Sequence, residues 1–442
     1  MVNIKPSLPK GMRDFLPSDM LKREYVFGIV RSIFERYGFE PLQTPTLERR
    51  ETLFGKYGED AENLIYSANH QRSNEEVAMR YDLTVPLARV VAQYENELTF
   101  PFKRYHIAPV WRGERPQRGR YREFYQCDVD IVGVSGMTAD AEILSILVTA
   151  FKTLGFPRFM VKINNRKLLT AMGVYSGVPD EQLIDLYRSV DKFDKVGAEG
   201  VEKELLERGI ATDAVNRMIA LITSRKPGVE NIEYVASVLG DASGAQAGVQ
   251  ELRDLSKAMQ DLGIDEQHYE FDFTMVRGLG YYTGPIFETV ITEPNIGSIS
   301  GGGRYDNLIG MFRRESLPTT GSSLGIERII DLMSEFDLYP DSIGGTVVQV
   351  LVSVFDPAYR AVSTQVATSL RDNGIRTELY LEDRKLDKQI KYADKKGIPL
   401  IIIAGPDEIA NQQVKLRRLA DGTERVAGFD QVLDTVRDLL NP

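Results

Sequence analysis

The sequence predicts an α+β fold: an antiparallel sheet split by a helical insertion and followed by a smaller α/β domain. Three observations predict it. Short apolar runs between residues 80 and 135 flank an arginine-rich stretch, the pattern of antiparallel strands around a loop. Strand-like alternation vanishes from 166 to 256, where Leu183, Leu186, Tyr187 and Val190 fall at i, i+3, i+4 and i+7, and it returns at Glu270. Beyond residue 346 apolar strands alternate with helices, which predicts an α/β unit with a mainly parallel sheet. At 442 residues the chain has length for roughly three ordinary units.

In chain order, Val26, Val30, Ile33, Phe34 and Tyr37 recur at helical spacing until Gly38 supplies a stop, and FEPLQTPTLE continues as an extended segment. FPFKRYHIAPVW and FYQCDVDIVGV read as strands, and Phe159, Val161 and Ile163 alternate with Met160 and Lys162 in another. After the insertion, EFDFTMVRGLGYYTGPIFETVI and GSISGGGRYDN carry strands, and a helix begins near SSLGIERIIDLM. MSEFDLYPDSIGG has the composition of a linker. The expected boundaries are therefore a core at 1–332 with its insertion at 166–256, a linker at 333–345, and a second domain at 346–442. In that domain VVQVLVSVF is a buried strand, and Asp356-Pro357 pairs an N-cap with proline at the first helical position. A helix through Val362, Val366 and Leu370 stops at Gly374, and the strands RTELYL and PLIIIAG flank a helix around 386–396.

Composition narrows the chemistry. Hydrophobic residues at 43% and charged residues at 27% exclude a disordered or collagen-like chain. One cysteine, Cys127, excludes an internal disulfide or a cysteine-based metal cluster, and it reads as a small packed residue. Three histidines leave no histidine-rich metal site, and His106 reads as packed or singly hydrogen-bonded. MVNIKPSLPKGMRDF holds no apolar segment after its charges, and no apolar run approaches the ~18 residues that span a bilayer, so the expectation is a cytoplasmic protein with no membrane partner. Arginines, lysines and carboxylates must carry the chemistry.

The net charge is −10, yet WRGERPQRGRYR at 111–122 holds five arginines against one glutamate, a local +4. A hairpin whose strands carry Arg112, Glu114, Arg120 and Phe124 suits a nucleotide. Guanidinium forks bind phosphate oxygens, a carboxylate accepts from an adenine amino group, and an aromatic face stacks on the base. GGGRYDN lacks the spacing of a Walker phosphate loop.

WRGE, GRYREFYQCDVDIVG, RGLGYYTGPIFE, GGGRYDNLIG and SLGIERI together resemble the histidyl-tRNA synthetase family, class II aminoacyl-tRNA synthetases. The likeness runs from KGMRDFLP to the last helix and is weakest in the insertion. It implies a six-stranded antiparallel catalytic sheet, a homodimer built by the segment around Pro45, and a C-terminal α/β anticodon-binding domain. The implied substrates are ATP with Mg²⁺, L-histidine and a tRNA. The implied reaction forms histidyl-adenylate and then esterifies the tRNA 3′ end.

By the same resemblance, Arg112 and Arg277 are the catalytic contacts to the α-phosphate. Arg120 and Arg328 hold the outer phosphates, and Glu114 and Phe124 receive adenine. Asp82, Leu83, Thr84 and Gln126 form the α-amino site; Asp130, Tyr281 and Tyr282 take the imidazole; Gly301, Gly302 and Gly303 floor the pocket. No protein metal site is implied, since Mg²⁺ rides on the phosphates. Taken singly, a glycine triplet is a turn and a tyrosine pair is a strand face. It is their arrival together, in motif order, that points to a site. The chain departs from the family at Gly280, where RGLDYY is common. Arg384, Lys385, Lys388, Lys391, Lys395, Lys396, Lys415, Arg417 and Arg418 form a basic collection suited to tRNA. The competing reading is a non-catalytic relative acting as a regulatory subunit of histidine biosynthesis.

Overall fold

Alternation along one strand organises the molecule. In Glu123–Val132 the side chains of Phe124, Gln126, Asp128 and Asp130 share one face, and those of Tyr125, Cys127, Val129 and Ile131 share the other. The neighbouring strand Phe102–Trp111 repeats the division, with Arg104 opposite Asp130, His106 opposite Asp128 and Ala108 opposite Gln126. One face is thus apolar and the other is polar yet buried. The computed structural model describes residues 5–57, 59–69, 72, 74–117, 119–224, 226–276, 280–291 and 297–440.

Two compact units result: Met1–Arg13 with Val26–Leu338, and Asp14–Tyr25 with Tyr339–Pro442. The sequence boundaries place 14–25 in the first domain, whereas their contacts lie in the second unit, where Tyr25 and Lys22 both approach Tyr339.

The first unit is built on an eight-stranded sheet, in the order Glu40–Pro41, Phe102–Trp111, Glu123–Val132, Thr319–Gly325, Ser298–Arg304, Pro285–Val290, Met160–Asn165, Tyr269–Phe271. The inner six strands are antiparallel throughout, and a short parallel strand closes each edge. On the apolar face lie the helix Thr138–Thr153 and residues 26–36 of the helix Pro17–Arg36. Phe27 meets Tyr125 at 5.2 Å and Phe34 meets Tyr105 at 5.6 Å between ring centroids. Tyr37 secures the pair of helices through Ser145 Oγ and Thr149 Oγ1, each at 2.9 Å. Between Asn165 and Tyr269 the chain is helical from Arg166–Ser176 to Ala245–Asp261, and Asn165 caps the first of these helices by accepting from Lys167 N.

Two elements differ from the sequence reading. Residues 322–325, expected to open a helix, belong to the central strand Thr319–Gly325, and the helix spans Ile326–Glu335. It also consumes the first residues of the expected linker. The strand escapes apolar-run rules because small residues are required there: a Cβ on Gly321 would sit 2.0 Å from Asp130 Oδ1 and 2.7 Å from the Val129 carbonyl.

The second unit holds a five-stranded sheet in the order Thr377–Leu379, Val350–Val352, Leu400–Ile403, Gln413–Arg418, Glu424–Gly428. Its first three strands are parallel and its last two pairings antiparallel, so it is mixed rather than mainly parallel. The antiparallel half turns at Asp421-Gly422, where Gly422 has φ +72° and Arg418 N donates to Thr423 O. Helices Arg360–Asp372, Leu386–Lys396 and Val432–Leu440 cover it. Among the described residues no helix is long and apolar enough to cross a membrane.

Candidate active site

The polar face of the first sheet is roofed by the residues entering the helix Thr84–Gln93. Asp82 ends the extended run before that helix, with Oδ1 accepting from Tyr57 Oη at 2.8 Å and Val85 N at 3.1 Å. Its Oδ2 is buried with no hydrogen-bond partner among the described residues, and burial pushes the carboxyl pKa up. Leu83 is buried, and its carbonyl accepts from Arg104 Nη2 at 3.2 Å; Thr84 bonds Tyr281.

Gln126 lies on the adjoining strand. Its Nε2 donates to Ser323 Oγ at 3.0 Å and, at 3.4 Å, to Asp128 Oδ1, which leaves Oε1 buried and unpartnered among the described residues. Two residues on, Asp130 receives the Tyr305 hydroxyl on Oδ1 and stands with Oδ2 2.8 Å from Arg104 Nη2, an ion pair outside hydrogen-bond alignment. Tyr305 in turn packs on Tyr281 at 5.7 Å, and Tyr281 on Tyr282 at 4.9 Å. Gly301, Gly302 and Gly303 lie in Ser298–Arg304. Close approach is explicit at two of them: a Cβ on Gly302 would meet the Gly321 carbonyl at 2.1 Å, and one on Gly303 the Pro285 carbonyl at 2.6 Å. The structure therefore gathers Asp82, Leu83, Thr84, Gln126, Asp130, Tyr281 and Tyr282 into one cluster, in which Thr84, Tyr281 and Tyr282 are half-buried and the rest buried.

Four members of that cluster escaped the sequence reading. Arg104 is wholly buried between Asp128, Asp130 and the Leu83 carbonyl, and Tyr57 and Tyr305 hold Asp82 and Asp130. Asp128 is pushed up to about 7, by burial first and by Asp130 beyond it, against the opposing pull of Arg104. Across from it, burial and then Arg104 and Arg80 drive His106 down to about 3, and neither ring nitrogen has a hydrogen-bond partner. Of the two expectations for His106, packed or singly hydrogen-bonded, the structure shows the packed one among the described residues. Strand periodicity from Gln126 and Asp130 pointed to position 128 and, through the pairing, to 104 and 106; nothing local marked Tyr57 or Tyr305.

The nucleotide candidates sit at the mouth of this cluster. Of them only Phe124 is on a strand, whereas Arg112, Glu114 and Arg120 belong to the loop between Trp111 and Glu123. Arg112 Nε donates to Tyr81 O at 3.1 Å, and its guanidinium stands 4.4 Å from the Tyr81 ring centroid and 5.1 Å from that of Phe124. Glu114 and Arg120 approach to 3.9 Å. Arg328 Nε donates to Gly119 O at 3.3 Å and Nη1 to Ser298 O, so it spans the loop and the Ser298–Arg304 strand. Arg277 lies outside the described residues. Among the described residues no group of three or more His, Cys, Asp or Glu side chains is placed to hold a metal ion.

Six antiparallel strands, an arginine-bearing loop between two of them and a cluster of buried carboxylates on the sheet's polar face are the architecture of a class II aminoacyl-tRNA synthetase. The histidyl-tRNA synthetase family model matches residues 11–329, and an anticodon-binding domain model matches 349–439. The chain belongs to the histidyl-tRNA synthetase family. It is 44% identical to the histidine–tRNA ligase of Aeropyrum pernix over 434 residues, covering 97% of this chain and 96% of that one. The crystal structure of a histidyl-tRNA synthetase from Nostoc sp. superposes with a TM-score of 0.87 at 31% identity, covering 99% of this chain and 100% of that chain. A structure from Bacillus halodurans, titled as an ATP phosphoribosyltransferase regulatory subunit/histidyl-tRNA synthetase, gives a TM-score of 0.75 at 21% identity over 91% of this chain and 99% of that one; this shows a shared fold alone.

Proposed function

We propose that the chain activates L-histidine with ATP, releasing pyrophosphate and forming histidyl-adenylate, and then transfers the histidyl group to the 3′ end of its tRNA. The observation that carries the amino-acid half is the pair of buried acceptors without partners among the described residues, Asp82 Oδ2 and Gln126 Oε1. Unpaired buried acceptors cost free energy until a donor arrives, and an ammonium supplies three. Thr84 and the Leu83 backbone complete that end. Asp130, Tyr281 and Tyr282 surround the imidazole, and Gly301, Gly302 and Gly303 let the ligand approach the sheet.

ATP enters with Mg²⁺ on its outer phosphates, as the substrate complex. Phe124 and Glu114 take the adenine, while Arg120 and Arg328 take the outer phosphates. Arg112, on the pocket side of the loop, and Arg277 neutralise the α-phosphate as the histidine carboxylate oxygen attacks phosphorus and the bond to the pyrophosphate oxygen breaks. In the second step a terminal ribose hydroxyl attacks the adenylate carbonyl and AMP leaves. The second unit reads the tRNA through its basic residues. The chain works as a homodimer in the cytoplasm; exposed Pro45, Thr46 and Leu47 are available to a partner copy, in keeping with the family.

The regulatory-subunit reading is less supported, since Arg112, Arg328 and the second unit are all retained. The amino-acid assignment is tested by Asp82→Asn in histidine-dependent ATP–pyrophosphate exchange. Loss of a charged acceptor worth about 1.5–3 kcal/mol should raise the KM for histidine roughly tenfold or more, with little change for ATP. An unchanged KM for histidine removes Asp82 from the site.

A further inference from the structure

Among its described residues, the loop that carries Arg112, Glu114 and Arg120 has no secondary structure of its own between the two strands beyond an isolated bridge of Gln117 with Arg120. Loops of this kind are mobile unless something fixes them, and misplacing a phosphate ligand by an ångström costs rate steeply. What fixes this one comes from a hundred residues earlier in the chain.

Residues 10–13, the KGMR of the N-terminal segment, lie along the far limb of the loop. Arg122 N donates to Gly11 O at 2.9 Å and Arg122 Nη1 to Lys10 O at 3.4 Å. The same Arg122 joins the two limbs, with Nε donating to Glu114 O at 3.0 Å and its carbonyl accepting from Arg112 N at 2.9 Å. The Arg13 guanidinium stacks 3.2 Å from the Tyr121 ring centroid and ion-pairs with Glu327. Glu327 is 5% exposed, and its Oε1 accepts from Tyr125 N at 3.3 Å. It immediately precedes Arg328, which donates to Gly119 O.

Gly11 shows that the approach is close on the backbone side as well. It has φ +84°, and a Cβ there would stand 2.7 Å from Pro116 Cγ and 2.9 Å from Arg122 Cγ.

We propose that residues 10–13 are a brace for the nucleotide loop and that Arg13, gripping Tyr121 and Glu327 together, is a positioning residue for ATP in adenylation. Arg13 touches neither substrate in this scheme. It acts by holding Tyr121, while the Gly11 and Lys10 carbonyls hold Arg122, so that Arg112, Glu114 and Arg120 keep their geometry, and it links that loop to the Glu327–Arg328 corner. A planar guanidinium does both jobs at once, stacking with its face while its edge pairs with a carboxylate; an ammonium does only the second.

The proposal rests on the reading of the loop as the ATP site, and the experiment separates the two. ATP–pyrophosphate exchange is measured on the full chain for wild type, Arg13→Ala, Arg13→Lys, Glu327→Gln, the Arg13→Ala/Glu327→Gln double variant and Arg120→Ala. Arg13→Ala should raise the KM for ATP roughly tenfold while the KM for histidine stays within about twofold. Arg13→Lys should recover part of that loss. The double variant should be no worse than the poorer single variant, because both break one linkage.

A wild-type KM for ATP in Arg13→Ala, with Arg120→Ala impaired, overturns the brace and leaves the ATP site standing. Wild-type ATP parameters in both overturn the brace together with the site. A fall in kcat alone, with both KM values unchanged and a lowered melting temperature, also overturns it, since that is the signature of fewer folded molecules.

Discussion

Arg104 is the charge on which the pocket's electrostatics turn, and it was the least visible in the sequence. It sits in KRYH looking like any strand arginine, and only its cross-strand pairing with Asp130 and proximity to Asp128 give it meaning. Removing its ion-pair partner by Asp130→Ala should cost about 3–5 kcal/mol of stability, because the buried guanidinium loses its paired carboxylate and keeps only the nearby Asp128, whose proton burial tends to retain. Asp130→Asn should fold better yet lower histidine kcat/KM about tenfold to a hundredfold, as charged hydrogen bonds are lost. Denaturant unfolding and pyrophosphate exchange on both variants check this; equal stability and equal activity for the two would contradict it. Asp130 itself was legible as a motif residue, but its engagement by Tyr305 and Arg104 was not, since both lie far away in sequence or on the next strand.

The same cluster sets a pH dependence. Asp128 keeps its proton in the fold up to about 7, while the unfolded chain loses it near the ordinary value of 3.8, so its contribution to stability falls as pH rises through that window. His106 runs the other way: it is neutral in the fold down to about 3 but protonated in the unfolded chain below 6.5, so stability is lost as pH falls from 6.5 towards 3. Between pH 4 and 6.5 the two slopes oppose. Asp128→Asn should gain stability relative to wild type as pH rises from 4 to 7, and His106→Phe should gain relative to wild type as pH falls from 6.5 to 4. Chemical denaturation across pH reads both, and parallel profiles for wild type and variants would contradict the assignment.

At the scale of elements, periodic segments were legible and glycine-rich ones were not. The helix Leu386–Lys396 and the helical insertion follow from spacing that tertiary packing does not override. The strand Thr319–Gly325 was invisible because its residues are small for the sake of their neighbours, and the Asp421-Gly422 hairpin was a local turn signal left unused. Gly321→Ala should cost about 1–3 kcal/mol, since neither the Val129 carbonyl nor the paired Asp130 carboxylate has room to retreat. It should also weaken histidine use more than ATP use, because Asp130 is displaced and the loop at 112–122 is not. Equal losses for the two substrates in pyrophosphate exchange would contradict that.

At the scale of the molecule, the proposed function divides chemistry and tRNA reading between the two units, the second of which matches an anticodon-binding domain model over 349–439. Stopping the chain after Leu338, rather than inside the Ile326–Glu335 helix, should leave adenylation measurable and sharply weaken tRNA charging, because phosphate contacts from the second unit are lost. The fragment should also lose order at 14–25, whose aromatic and cationic contacts are to Tyr339, and amide exchange would report it. Equal charging efficiency would give the second unit another task. The central claim is that this pocket selects histidine for transfer to tRNA, and the most direct measurement is ATP–pyrophosphate exchange with each of the twenty amino acids, followed by charging of a tRNA mixture. Histidine alone should support exchange, and only histidine should become tRNA-linked. Exchange with no amino acid at all, from a folded chain that still binds histidine, would contradict the account and leave a regulatory protein in its place.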